Sequence, residues 1–166
     1  MMKLVLLAVL AGLAFWHFDV SRRMDDNQIR AAYEADAEAM RRFDADALCE
    51  RMTDDFSAEQ VTRQGDESTQ QHFDKPGLCG HLRQSVDMMQ RLSAATGGRY
   101  ALEIAQEVND IELSADHKQA TVQTVSTVRL GGMTLARDRT TEHLIRRHGR
   151  ILSTGGESRV WAYSPQ

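Results

Sequence analysis

A chain of 166 residues and 18.7 kDa is the size of one ordinary domain plus an appendage. Its 42% hydrophobic and 27% charged residues supply one core and a solvated surface, so neither a metal nor a lattice of crosslinks is needed to hold it. The formal charge of −4 argues against a nucleic-acid partner, because phosphate-backbone binders cluster a basic excess. The densest basic stretch, Arg146-Arg147-His148-Gly149-Arg150, falls where a hairpin turn is predicted. It reads as a solvated turn, with an anionic-ligand or lipid-headgroup patch as the alternative.

Residues 1–23 differ in kind from the rest. After Lys3, the run from Leu4 to Trp16 is apolar and uncharged. As a helix it would be roughly 20 Å long, against about 30 Å of bilayer hydrocarbon. That is short for a span and right for the core of a secretory signal, with Lys3 as basic flank and Gly12-Leu13-Ala14 as a small-x-small cleavage site. Arg22-Arg23 just downstream resists export, so an uncleaved anchor over residues 4–18, with Phe15, Trp16 and Phe18 at the interface, stays open beside the signal peptide, as does a soluble domain with an apolar first helix. In each case residues 24–166 form the domain, and with a signal or an anchor its expected location is periplasmic or otherwise extracytoplasmic. Two cysteines, Cys49 and Cys79, fit a disulfide in an exported chain and two buried thiols in a cytosolic one. Closing a loop of about 30 residues would contribute on the order of 3 kcal/mol.

Within the domain, Asp25 or Asp26 caps a helix, and Gln28 stands where a capping box from Asp25 wants it. Ile29, Tyr33, Ala37, Met40 and Phe43 carry its apolar stripe to about Phe43. Asp44-Ala45-Asp46 recaps a short helix through Leu48 and Met52. Ser57–Gln64 and Glu67–Phe73 flank Gly65-Asp66 as a hairpin. Asp74-Lys75-Pro76 opens a third helix with its stripe on Leu78, Leu82, Val86, Met89 and Leu92, ended by Gly97-Gly98. An antiparallel meander follows over 100–113, 119–130, 133–147 and 151–163. In its second strand Ala120, Val122, Thr124, Ser126 and Val128 share one face, and its β-branched richness favours a strand.

Helix, short helix, hairpin, helix and long meander is an order that resembles the nuclear transport factor 2-like superfamily. The resembling stretches are Tyr33 to Phe56, YEADAEAMRRFDADALCERMTDDF, and Asp110 to Asp116 followed by Ala120-Thr121-Val122. The superfamily includes SnoaL-like cyclases, ketosteroid isomerases and scytalone dehydratases. The resemblance implies an α+β, cystatin-like cone: a long first helix in a strongly bent antiparallel sheet, three helices in the domain, and a pocket between helix and sheet. It implies no activity, since such folds host enzymes, binders and assembly modules alike.

Asp36 is the most informative residue, a carboxyl near the middle of the first helix's apolar stripe. It reads as a pocket-facing acid or base, or as a structural carboxylate bonded to one of the arginines. Tyr33 lies alongside. By resemblance to ketosteroid isomerases it would donate to an oxyanion; otherwise it is a core tyrosine. Those enzymes place a base just beyond the junction that resembles Asp54-Asp55-Phe56. Here Ser57, Glu59 and Gln60 stand there, and Glu59 substitutes only if it points inward. His143 is the histidine candidate for an acid–base pair with Asp36, against a plain half-exposed strand histidine. Met40, Thr124, Ser126 and Trp161 complete the expected pocket, with Trp161 and Tyr163 alternatively at a sheet edge or dimer interface. His72, Cys79 and His81 lack recognised ligand spacing, so no metal is expected, and no fingerprint for a cofactor is present.

Two functions follow. One is an extracytoplasmic module that binds a small hydrophobic molecule or another protein, with a homodimer through the open sheet face. The other is an isomerase or hydrolyase using Asp36, His143 and Tyr33. Convergence of those three side chains in one apolar cavity discriminates them.

Overall fold

The computed structural model describes residues 20–95, 102–130 and 132–163, with positions 5, 6, 9–13 and 16 ahead of them. Those leading positions are helical, and Val5, Leu6, Val9, Leu10, Leu13 and Trp16 are exposed. Among the described residues, no helix is long and apolar enough to cross a membrane. The Gly97-Gly98 stop and the Tyr100 strand start lie outside the described residues, as does much of the cleavage-site and interface reading of residues 1–19.

A short 3-10 turn at Val20–Arg22 leads into helix α1, Asp26–Arg41, capped by the Asp25 carboxylate, which accepts from the Gln28 N–H at 2.9 Å. Arg42 closes the helix, and Phe43 takes a left-handed φ of 59° that lets Asp44 restart the chain. Asp44 caps α2, Ala45–Cys49, by accepting from Ala47 N–H at 3.0 Å. The second helix stops three residues short of the expected Met52, which instead opens strand β1, Met52–Gln64. The reason is tertiary: Met52 pairs with Ser153 across the sheet, a partner that local spacing does not reveal. Gly65-Asp66 turns β1 into β2, Glu67–Asp74, and α3 follows over Lys75–Ala95 with Pro76 in its first turn. The Asp74 carboxylate caps α3 by accepting from Gly77 N–H at 2.8 Å.

Strands β3 (Leu102–Leu113), β4 (Gln119–Leu130), β5 (Met133–Arg147) and β6 (Arg150–Ala162) complete a six-stranded sheet of order β2-β1-β6-β5-β4-β3. The meander is antiparallel as expected, but β6 runs parallel to β1, so the sheet is mixed at that one junction. Register shifts interrupt β1 between Met52 and Ser57, β3 between Val108 and Asp110, β5 between Thr134 and Ala136, and β6 between Ser153 and Gly155. Each shift bends its strand, and together they curl the sheet around α1. The shift in β3 also changes which parity faces inward, so that both Val108 and Ile111 reach the core.

The core sits under the first half of α1, where Met24, Ile29 and Tyr33 pack on Ala120, Val122, Leu144 and Ile151. Ile29, Val122 and Leu144 are fully buried, each contributing about 1.5–3 kcal/mol. The same end is pinned by Met24 N–H donating to the His117 carbonyl at 2.8 Å and by Arg146 Nη1 donating to the Arg23 carbonyl at 2.6 Å. At the far end Ala39, Ala45, Cys49, Phe56, Cys79 and Val86 are buried as a separate group. There α2 and α3 are joined by the Cys49–Cys79 disulfide, with Cα atoms 5.6 Å apart, and close over the open end of the sheet.

Candidate functional site

Because the core fills only one end, the second half of α1 overhangs a cavity of about 420 Å³ between the helices and the concave sheet face. This lies within the usual range of about 300–1,000 Å³ for small-molecule sites. Leu48, Met52, Phe56, Phe73, Leu78, Leu82 and Met89 make one wall apolar. The opposite side is polar and comes from α1 and the inward positions of β4, β5 and β6.

Its polar groups form two bonded sets. Arg51 Nε lies 3.1 Å from Asp36 Oδ2, and its guanidinium stacks over the Tyr33 ring at 5.4 Å. The Tyr33 hydroxyl donates to Glu142 Oε2. On β5 the Thr140 hydroxyl donates to Asp138 Oδ2 at 3.0 Å and lies 3.1 Å from Ser158 Oγ. Burial pushes the Asp138 carboxyl above its ordinary value, against hydrogen bonds from Thr140 and Ser126. Burial, reinforced by Glu142, drives the Tyr33 phenol far above its usual value. Asp36 is pushed up to about 6, burial outweighing the Arg51 guanidinium beside it.

The shift of Asp36 carries a signed consequence. A carboxyl raised by folding contributes stability that is fully present below its unfolded value of 3.8 and lost as pH rises through about 6. The difference corresponds to about 3 kcal/mol. Asp36→Asn cannot titrate, so its urea stability relative to wild type is expected to improve by up to that amount from about pH 4 to about pH 7.5. A stability gap that stays constant across that range contradicts the shift.

Of the residues expected from sequence, Tyr33, Asp36, Met40, Thr124 and Ser126 all line the cavity, and Glu59 stands exposed at its border, where Gln70 Nε2 donates to it at 3.4 Å. His143 does not join them. It is exposed, with Nδ1 3.3 Å from Thr121 Oγ1, because Glu142 faces inward and strand neighbours alternate. Trp161 is the second correction: it pairs in register with Arg63 and Arg137, at positions outside the cavity lining. Strand parity places His143 once Glu142 is known to face inward. His143 shares its parity with Arg137 and Arg139, whereas Ala136, Asp138, Thr140, Glu142 and Leu144 form the less polar, inward set. Sequence reasoning missed Arg51, Asp138 and Glu142 as site residues. Arg51 sits at an irregular helix–strand junction, where no periodicity shows which way a side chain points.

No protein-family model matches the chain, and no curated protein matches it in sequence. Solved structures do match its shape. A nuclear transport factor 2-like protein of Pseudomonas putida KT2440 superposes with a TM-score of 0.54 at 15% identity, over 81% of this chain and 84% of that one. A domain described as having a cystatin-like fold, from Nostoc punctiforme, gives 0.57 at 15% identity over 81% and 76%. The chain has the nuclear transport factor 2-like, cystatin-like α+β fold. A putative scytalone dehydratase of Novosphingobium aromaticivorans shares this fold, with a TM-score of 0.55 at 10% identity over 84% and 88%. At such identities the nuclear transport factor 2-like likeness concerns the fold alone.

Proposed function

We propose that this chain is an extracytoplasmic member of the nuclear transport factor 2-like superfamily whose domain binds a small, largely apolar molecule between α1 and the sheet. The observation that carries the reading is the cavity: an unfilled apolar wall faces two hydrogen-bonded sets of polar side chains, the arrangement by which small-molecule sites gain affinity and orientation together. The location is supported by Lys3 ahead of an apolar run, and by the bonding of Cys49 to Cys79, which suits an oxidising compartment.

A second reading, a proton-transfer enzyme, is favoured by Asp36 alone, whose value of about 6 suits general acid–base work near neutral pH. Two of its three expected parts are missing from that role. His143 lies outside the cavity, and the Tyr33 proton is already given to Glu142 instead of being free for an oxyanion. Binding is therefore the better conclusion.

Ala37 lines the cavity from α1, one turn after Tyr33, so Ala37→Trp fills its space. The full chain is expected to bind the apolar fluorophore N-phenyl-1-naphthylamine, and the variant to bind it at least about tenfold more weakly, a loss of ~1.4 kcal/mol. Equal binding by both would place the fluorophore elsewhere and remove the support for a ligand cavity.

A further inference from the structure

The charge of the cavity does not balance. Asp36, Asp138 and Glu142 line it, and exposed Glu59 and Glu157 stand at its border, whereas Arg51 is the one cationic lining residue among those described. That cation is engaged in part, with Nε 3.1 Å from Asp36 and Cζ 5.4 Å over the Tyr33 ring, while its buried Nη1 has no hydrogen-bond partner. Glu142 has the Tyr33 hydroxyl. Asp138 has neutral donors only, the hydroxyls of Thr140 at 3.0 Å and of Ser126 on the neighbouring strand and its own backbone N–H, and no ion pair among the described residues.

A half-buried carboxylate served only by neutral donors is under-stabilised, because a neutral hydrogen bond is roughly half as strong as a charge-assisted one. A positive guest supplies what Asp138 lacks, and an anionic guest meets like charge in a medium that screens poorly. Phe56, Leu82 and Met89 on the facing wall suit an apolar body.

Resting on the binding reading above, we propose that the cavity selects an amphipathic cation, with a protonated amine on Asp138 and its apolar remainder against the wall formed by Phe56, Leu82 and Met89. Arg51 holds Asp36 as a structural pair and leaves Asp138 as the recognition carboxylate. An alcohol of the same shape fits the wall but forfeits the charge, and a carboxylate of the same shape is repelled.

Equilibrium dialysis of the full chain against 4-phenylbutylamine, 4-phenylbutan-1-ol and 4-phenylbutanoate at neutral pH and low salt tests this. The expected order is amine, then alcohol at least about tenfold weaker, then carboxylate, with Asp138→Asn bringing the amine to within about threefold of the alcohol. The ranking on the unaltered chain decides even if the variant fails to fold. Amine and alcohol binding equally to the unaltered chain overturns the cation selectivity and leaves the ligand cavity standing. A tenfold amine preference that survives in a folded Asp138→Asn variant overturns the role of Asp138. Failure of all three probes, together with failure of the fluorophore, takes down the binding reading itself.

Discussion

Replacing Gly155 or Gly156 by alanine is expected to cost on the order of 4 kcal/mol or more, enough to unfold a domain of ordinary stability. Both glycines have positive φ, 130° and 153°. At these angles, in a region essentially restricted to glycine, a side chain is strained before any contact is counted. Space is closed as well. A Cβ on Gly155 would stand 2.6 Å from the Ser57 carbonyl carbon and inside the radius of its oxygen, and one on Gly156 would stand 3.0 Å from Glu142 Cα. Backbone presses from both sides because β6 lies between β1 and β5, and the register against both shifts just ahead of the pair, between Ser153 and Gly155. The same pair lines the cavity. Urea denaturation of either alanine variant reads the effect directly. A loss under about 1 kcal/mol would mean that β6 does not pass so close to its neighbours.

The second large effect concerns the bridge between Cys49 at the end of α2 and Cys79 in the first turns of α3. It closes a loop containing the β1–β2 hairpin, and its removal is expected to cost about 3 kcal/mol through the freedom returned to the unfolded chain. Both residues are buried, so the paired change Cys49→Ala and Cys79→Ala also leaves small voids. The consequence reaches the site, because Leu78, Leu82 and Met89 on α3 form its apolar wall and the bridge holds α3 in place. Reducing the full chain is therefore expected to lower its urea midpoint and its affinity for the fluorophore together. Mass spectrometry of protein purified without reductant should find the chain lighter by two hydrogens. Two freely alkylated thiols in that material would contradict the bridge.

The order of elements and most of their limits were legible because they rest on local chemistry. Asp25, Asp44 and Asp74 cap helices, Gly65 and Gly149 turn hairpins, and a two-residue alternation marks β4. The places where reading stopped are those governed by partners distant in sequence. Met52 joined a strand because Ser153 pairs with it, and β6 ran parallel to β1 because α3 and the meander carry the chain back to that edge. The site divided in the same way. Tyr33, Asp36 and Met40 followed from helical spacing, which fixes a face. His143 and Trp161 were misplaced because strand parity needs a reference residue known to be inside, and Glu142 supplied one only once Tyr33 was seen to reach it. The role of Asp138 required the cavity itself, since a lone carboxylate between two arginines reads in sequence as an ordinary solvated charge.

The most direct measurement uses methionine as an internal map. Met40, Met52 and Met89 line the cavity, Met24 lies in the closed core, and Met88 and Met133 are exposed. With ¹³C-methyl methionine labelling of the full chain, titration with 4-phenylbutan-1-ol or its amine is expected to shift Met40, Met52 and Met89 in a saturable way while Met24, Met88 and Met133 hold still. Shifts confined to Met88, Met133 or the N-terminal methionines, with the three cavity methyls unmoved, would contradict a ligand site between α1 and the sheet.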